Sequence, residues 1–254
     1  MHNRMKCLAT LLALIVVTST LRAEWTLTEN QQRPAPEGLT FIQRHVHSPT
    51  GDADLSIVSF NPKTHAFAVM DDPDSSYDLG RACEKRGALA GTNGGYFQPD
   101  RTPLGLVIRQ GVQIHGLEHS KLISGILSVT PSSIAIQRVA AFKLTPAVKE
   151  ALQAGPFLVE AGKPITGLNA DKSAARTVVF QDAKGRFGFL ICKSASLADT
   201  AQILATPAVF PEGHLVRALN LDGGTSTALW VRGNPPFYSH EWKSVRNFLA
   251  IVPR

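Results

Sequence analysis

Cysteine is scarce in this chain, with three residues in 254, and one of them, Cys7, sits in an apolar N-terminal stretch. That excludes a disulfide-built scaffold. The other two, Cys83 and Cys192, have no cysteine neighbour and no zinc-ligand spacing. One bridge and two buried thiols are both consistent with them. Charge is also sparse: Asp, Glu, Lys and Arg make up 18% of the residues, with no long run of lysine or arginine. The formal charge of +6 includes Arg4, Lys6 and Arg22 of an N-terminal segment that has no acidic residue. The remainder carries about +3, too little for a track along a phosphate backbone, so no nucleic-acid partner is expected. Long apolar runs are missing. The stretch Leu8–Val17 is far shorter than the roughly 20 residues that cross a bilayer, so no transmembrane segment is expected. GxGxxG, GK[ST], HExxH, kinase and lipase-elbow patterns do not occur either.

What is present is a composition of an ordinary globular protein, 44% apolar with 20 glycines and 16 prolines. Arg4 and Lys6, the apolar Leu8–Val17 and the polar Thr18-Ser19-Thr20 precede Leu21-Arg22-Ala23. This order is that of a cleavable secretory signal over residues 1–23, and it predicts an exported, periplasmic or secreted protein. Residues 24–38, with Gln31-Gln32, Pro34 and Pro36, read as an N-terminal arm, and 39–254 as a single domain.

Alternation and turn residues predict strands at Leu39–His47, Leu55–Phe60 and His65–Met70, joined as hairpins. A helix is expected over Tyr77–Gly87, where Leu79, Ala82 and Cys83 form an apolar stripe. Further strands are expected at Ala88–Thr92, Leu104–Arg109, Ile123–Val129, Ile134–Val139 and Phe157–Val159. Thr177–Phe180 and Phe187–Cys192 flank the turn Asp182–Gly185 as a hairpin, and Leu215–Leu221, Ala228–Val231 and Phe248–Val252 follow. Pro146 is read as opening a second helix that reaches Ala154, and Ser196 with Asp199 forms a capping box for a third, ending at Leu204. The pattern predicts an α+β fold, a large mainly antiparallel or mixed sheet core with about three flanking helices.

Two elements share one design. Asn93-Gly94-Gly95 and Asp222-Gly223-Gly224 each follow a buried-looking strand with a short polar side chain and two glycines. Such turns are ordinary hairpin connections, and they also let backbone approach a ligand closely or offer amides to an anion. Thr225, Ser226 and Thr227 add hydroxyls to the second, and Tyr96-Phe97 add aromatic surface to the first. Asp71-Asp72-Pro73-Asp74 is an acidic turn and not a calcium loop. Trp25, Trp230 and Trp242 fit core, sugar stacking or a partner surface equally well.

Asn93-Gly94-Gly95-Tyr96-Phe97, Pro103-Leu104-Gly105, Gln153-Ala154-Gly155-Pro156, Arg176-Thr177, Asn220-Leu221-Asp222-Gly223-Gly224-Thr225-Ser226 and Asn247 occur in that order. The ordered set resembles the phosphodiester glycosidase family over roughly residues 50–253. Thr225 stands where members carry a third glycine, which predicts a narrower pocket or the loss of a special backbone conformation. The resemblance implies cleavage of the glycosidic C1–O bond of a sugar-1-phosphodiester or glycopolymer. Arg176 would meet the phosphate. Asp222 would act on the oxocarbenium-like transition state. Asn93 would orient the sugar, and Gly94, Gly95, Tyr96, Gly223, Gly224, Thr225, Ser226 and Asn247 would line the substrate. For a second carboxylate, Glu118 stands first, beside His115 and His119; Glu160 and Asp171 are alternatives. No cofactor is implied, and the use of a divalent metal is left open. A non-catalytic carbohydrate-binding or envelope-assembly protein on the same fold is the competing reading.

Overall fold

The computed structural model describes residues 24–254; the expected leader, residues 1–23, lies outside the described residues. In chain order the strands are β1 (Thr26–Arg33), β2 (Leu39–Ser48), β3 (Gly51–Phe60), β4 (His65–Asp71), β5 (Ala90–Asn93), β6 (Val107–Arg109), β7 (Val112–His115), β8 (Gly125–Val129) and β9 (Ile134–Arg138). They continue as β10 (Glu150–Ala154), β11 (Phe157–Glu160), β12 (Lys163–Pro164), β13 (Ala174–Asp182), β14 (Phe187–Ala195), β15 (Leu215–Asn220), β16 (Leu229–Val231), β17 (Phe237–Ser239) and β18 (Asn247–Pro253). The α-helices are α1 (Leu79–Arg86) and α2 (Leu197–Ala205).

The strands form three sheets. The largest has eight strands in the order β1-β2-β3-β14-β13-β15-β11-β12; two five-stranded sheets run β7-β6-β10-β8-β9 and β17-β16-β5-β18-β4. Strand neighbours pair antiparallel throughout the described residues. One central core joins inner faces of all three sheets: Phe41 and Phe189 from the first, Leu127 and Leu152 from the second, Phe67 and Leu249 from the third. The outer face of the large sheet is closed by α2, that of the third sheet by α1. Burial on both faces explains why β14 opens with an unbroken buried run, Phe187–Cys192, in place of alternation.

The two helices start and stop where side chains demand it. Asp78 accepts the Arg81 N–H at 2.8 Å and Gly87 ends α1 in the left-handed region at φ 70°. Ser196 accepts the Asp199 N–H at 3.0 Å and donates to the Asp199 carboxylate at 2.6 Å, the expected capping box.

Three expectations are corrected, and one pair of open alternatives is resolved. The segment opening at Pro146 is not a helix: a turn precedes β10, the central strand of its sheet, and Glu150–Ala154 is buried throughout. Glu150 and Gln153 are buried and do not face solvent. The Glu150 carboxylate accepts the Val69 and Gln110 N–H groups, and Gln153 holds a loop described below. Secondly, β3 and β4 are not a hairpin; β3 pairs with β2 and β14, while β4 pairs with β18 in another sheet. Thirdly, the arm at 24–38 contains β1, which pairs along β2 from Thr26↔His47 to Arg33↔Phe41. Its polar side chains hid it, because main-chain pairing at a sheet edge needs no apolar face. Finally, Cys83 and Cys192 are separate buried thiols in different core clusters, with burial pushing Cys83 upward and Cys192 up to about 12.

Gly188 of β14 shows how tightly the large sheet is closed. A Cβ there would lie 2.1 Å from the Val58 carbonyl oxygen and 2.6 Å from the Phe180 ring. Gly188→Ala is expected to cost about 1–3 kcal/mol in urea unfolding, the scale of an overpacked core site. An unshifted midpoint would show that β14 can move aside freely.

Candidate active site

The site forms where the ends of β5, β13, β15 and β18 meet, and its centre is a carboxamide. Asn93, the last residue of β5, is fully buried. Its Nδ2 donates to the Asp222 carbonyl at 2.7 Å. Its Oδ1 accepts from the Thr177 hydroxyl at 2.8 Å and from the Ala228 N–H at 3.1 Å. One side chain thus ties β5 to β13, to the turn after β15 and to the start of β16. Both ends of the amide are occupied by protein, so Asn93 holds the site together and does not face a ligand.

The first glycine pair is equally committed. Gly94 donates its N–H to the Asn247 carbonyl at 2.9 Å, and its own carbonyl accepts the Asp222 N–H at 3.1 Å. Gly95 donates to Asn247 Oδ1 at 2.8 Å. A Cβ on Gly94 would sit 2.0 Å from that oxygen, so the crossing of β5 and β18 requires glycine. These amides are consumed inside the protein, which corrects the expectation that they receive phosphate. Tyr96 donates its hydroxyl to the Gly155 carbonyl at 2.8 Å and accepts from Asn220 Nδ2 at 2.7 Å. Its phenol is held above its ordinary pKa, by burial first and then by the negative charge of Asp222, with Arg176 acting in the opposite direction.

Asp222 is half-buried at the head of the turn. Its Oδ1 accepts the Gly223 N–H at 2.9 Å. Burial raises its pKa above the ordinary carboxylate value, and the Ser226 hydroxyl and the Gly223 N–H partly offset that. Gly224 takes φ 61° with open space around a would-be Cβ, whereas a Cβ on Gly223 would lie 2.8 Å from the Ala175 carbonyl. Thr225 has no positive φ, so the departure from glycine removes no special conformation. Its side is exposed, and its carbonyl accepts the N–H groups of Trp242 and Lys243.

Arg176 is half-buried near the start of β13. Its guanidinium donates to two main-chain carbonyls, Ala195 at 3.0 Å and Lys172 at 2.5 Å. It forms no ion pair among the described residues. Burial lowers its pKa, opposed by Tyr96 and Cys192. A fixed cation and a desolvated carboxylate therefore both act on Tyr96 without pairing with one another.

The second-carboxylate candidates lie elsewhere. Glu118 is exposed on a loop whose main chain is held by Gln153, through Gln153 Nε2 to the Glu118 carbonyl and the Glu118 N–H to Gln153 Oε1. It lines a neighbouring cavity of about 350 Å³ with His115, not the Asp222 turn. His115 points its Nδ1 at the Gly105 and Gly116 carbonyls. His119 and Asp171 are exposed. Glu160 is paired with Arg138 at 2.7 Å, which holds its carboxyl below the usual range. The acidic turn is structural: Asp71 pairs with Arg246, and the Asp72 carboxylate accepts the Ser76 and Tyr77 N–H groups. Among the described residues no cluster of three or more His, Cys, Asp or Glu side chains is placed to hold a metal ion.

A family model for the phosphodiester glycosidases matches residues 86–252. The chain belongs to this family. A search of curated protein sequences returned no match. Solved structures agree on the fold. A hypothetical protein from Synechocystis aligns with TM-score 0.63 at 16% identity, over 92% of this chain and 68% of its own. The zebrafish N-acetylglucosamine-1-phosphodiester alpha-N-acetylglucosaminidase catalytic domain, auto-inhibited by its pro-peptide, aligns with TM-score 0.63 at 15% identity, over 89% and 88%. A Burkholderia pseudomallei protein named for its expected export aligns with TM-score 0.54 at 13% identity, over 80% and 75%. In this member of the family the positions that sequence reasoning did not single out are Thr177, Gln153 and Asn220. All three stand inside the ordered motifs, which was the available signal. Asn220 Oδ1 and Asn247 Nδ2 are buried without a protein partner, and buried polar atoms of this kind call for one.

Two stability measurements test this description. Asn93→Ala strands the Thr177 hydroxyl, the Ala228 N–H and the Asp222 carbonyl, and should cost at least about 2 kcal/mol in chemical unfolding. Asp222→Asn should do the reverse. A carboxyl whose pKa is raised in the folded state favours folding below its unfolded pKa and loses that contribution as pH rises through the folded value. The variant should therefore melt above the wild type at pH 7, with the gap closing as pH falls through the acidic range. A lower melting temperature at neutral pH would contradict the burial cost assigned to this carboxylate.

Proposed function

We propose that the protein is an exported hydrolase of sugar-1-phosphodiesters. The C1–O bond between sugar and phosphate breaks, water supplies the hydroxyl that ends on C1, and its remaining proton leaves with a phosphate monoester. The observation that carries this reading is Arg176: a half-buried guanidinium with backbone support and no carboxylate partner among the described residues. A diester has one negative charge, and a planar fork that has free N–H donors is suited to hold its oxygens.

Asp222 is assigned to the reacting carbon. Its carboxylate, held by Gly223 and Ser226, stabilises or attacks the cationic C1 as the phosphate departs. Desolvation makes that carboxylate more basic and its charge less screened. The leaving phosphate is a weak base, so departure needs little protonation, and Glu118 on its separate cavity is given at most a minor proton-transfer role. Tyr96, Ser226 and the Gly223–Gly224–Thr225 turn are assigned to the sugar-phosphate. Asn93, Gly94, Gly95 and Asn247 are assigned to positioning. Export rests on the N-terminal sequence pattern. The name of the Burkholderia neighbour agrees with it, as does the lack, among the described residues, of any helix long and apolar enough to cross a membrane.

Release of free sugar and phosphate monoester from a panel of sugar-1-phosphodiesters tests the reaction. Asp222→Asn is expected to lose at least ~10²-fold in kcat, the scale of one positioned catalytic group. Arg176→Met should lower kcat/KM by about thirtyfold, equivalent to a charge-assisted hydrogen bond of about 2 kcal/mol. Glu118→Gln should stay within a few-fold of wild type. The kcat/KM of the wild type should climb with pH along an acid limb lying above the ordinary Asp range. Full activity in Asp222→Asn, or no release from any diester by folded protein, would overturn the proposal.

A further inference from the structure

Trp242 is 87% exposed, far more than the other large apolar side chains at the surface. Its surroundings are nonetheless ordered. Its N–H and that of Lys243 donate to the Thr225 carbonyl, at 2.8 and 3.3 Å, so the indole is carried by the same turn that carries Asp222. Before it, the Tyr238 and His240 rings stack at 3.5 Å between centroids. Glu241 accepts the Leu79 N–H at 2.8 Å and the Tyr238 hydroxyl at 3.0 Å. A rigid loop that presents an indole to water gains nothing in folding from that exposure.

The indole lines a cavity of about 680 Å³ that begins at Gly224 and Thr227 of the site turn. A second cavity of about 390 Å³ adjoins it, sharing Ile191, Lys193 and Ser239 as common wall. Together they run from the Asp222 turn across β14 and β17 to the cross-strand pair Gln43 of β2 and Ser56 of β3. The floor is disturbed at one point. Ser194 takes φ 60°, a left-handed conformation unusual outside glycine, beside the register shift where β13 leaves β14 near Arg176.

We propose that this groove binds a chain of sugar units, with Trp242 as the stacking platform for the unit next to the scissile phosphodiester. The substrate class is then an oligosaccharide or glycopolymer carrying the diester, not a small sugar phosphate ester. An exposed indole with hydroxyl, amide and ammonium groups further along is the chemistry that recognises pyranose rings, apolar on a face and polar at the rim. The catalytic half of this inference rests on the proposed reaction; the groove itself does not.

The test has two arms. In Asp222→Asn protein, acrylamide quenching of tryptophan fluorescence reports mainly Trp242, because Trp25 and Trp230 are buried. Tri- to hexasaccharides of chito-, cello-, malto- and manno-series are added at millimolar concentration. At least one series should shield the indole, more strongly with length, and Trp242→Ala in the same background should lose that response. In the wild-type background, N-acetylglucosamine-1-phosphate is presented as its methyl diester and as its trisaccharide diester. Trp242→Ala should raise the ratio of KM for the trisaccharide diester to KM for the methyl diester about tenfold, the scale of one aromatic stacking contact. Equal quenching with every oligosaccharide overturns the groove, as does an equal loss on both diesters. Shielding without turnover of either diester keeps the groove and removes the proposed reaction.

Discussion

The buried carboxamide of Asn93 is the contact on which the site depends. Its donor goes to the Asp222 carbonyl and its acceptor to Thr177 and Ala228, so three strands from two sheets and the Asp222 turn share a single side chain. A carboxamide is suited to this place because it offers donor and acceptor in one plane, and in a dry setting each unmade bond would cost its full desolvation. Asn247 repeats the device one strand away, binding Gly95 through its side chain and Gly94 through its carbonyl. Glycine at 94 is then a consequence, since no side chain fits against Asn247.

This scaffold lets two charged groups remain uncompensated. Arg176 is braced by the Ala195 and Lys172 carbonyls, and Asp222 by one amide and one hydroxyl, without the pair collapsing into an ion pair. Three buried charges are matched by ion pairs, Arg246 with Asp71, Asp182 with Arg186 and Arg44 with Glu212, while the buried Glu150 and Asp72 carboxylates are held by main-chain N–H groups.

The elements with strong local signals were legible in the chain: the capped helices α1 and α2, the β13–β14 hairpin with its Asp182–Gly185 turn, and the two strand ends at Asn93 and Asp222. Elements whose partners are remote were not. β10 carries Glu150 and Gln153 into a buried strand, where the Val69, Gln110, Leu106 and Glu118 amides receive them. Those amides come from other segments of the chain, whereas Pro146 at the head of 146–154 pointed by itself to a helix start. β1 failed for the opposite reason, being held by main-chain pairing and almost no apolar side chain.

By itself, the sequence determined the antiparallel α+β class, the family and the ordered set of motif residues, because turn chemistry, capping and alternation act over a few residues. Only the tertiary structure decided what each motif residue touches. It turned Asn93, Gly94 and Gly95 inward as positioning groups, left Arg176 without a carboxylate, placed Glu118 on a separate cavity and paired Glu160 with Arg138. It also set Trp242 on the Asp222 turn. Hydrogen-bond partners and desolvation are fixed by segments far apart in the chain, and no local pattern encodes which of two polar groups will be the one left unpaired.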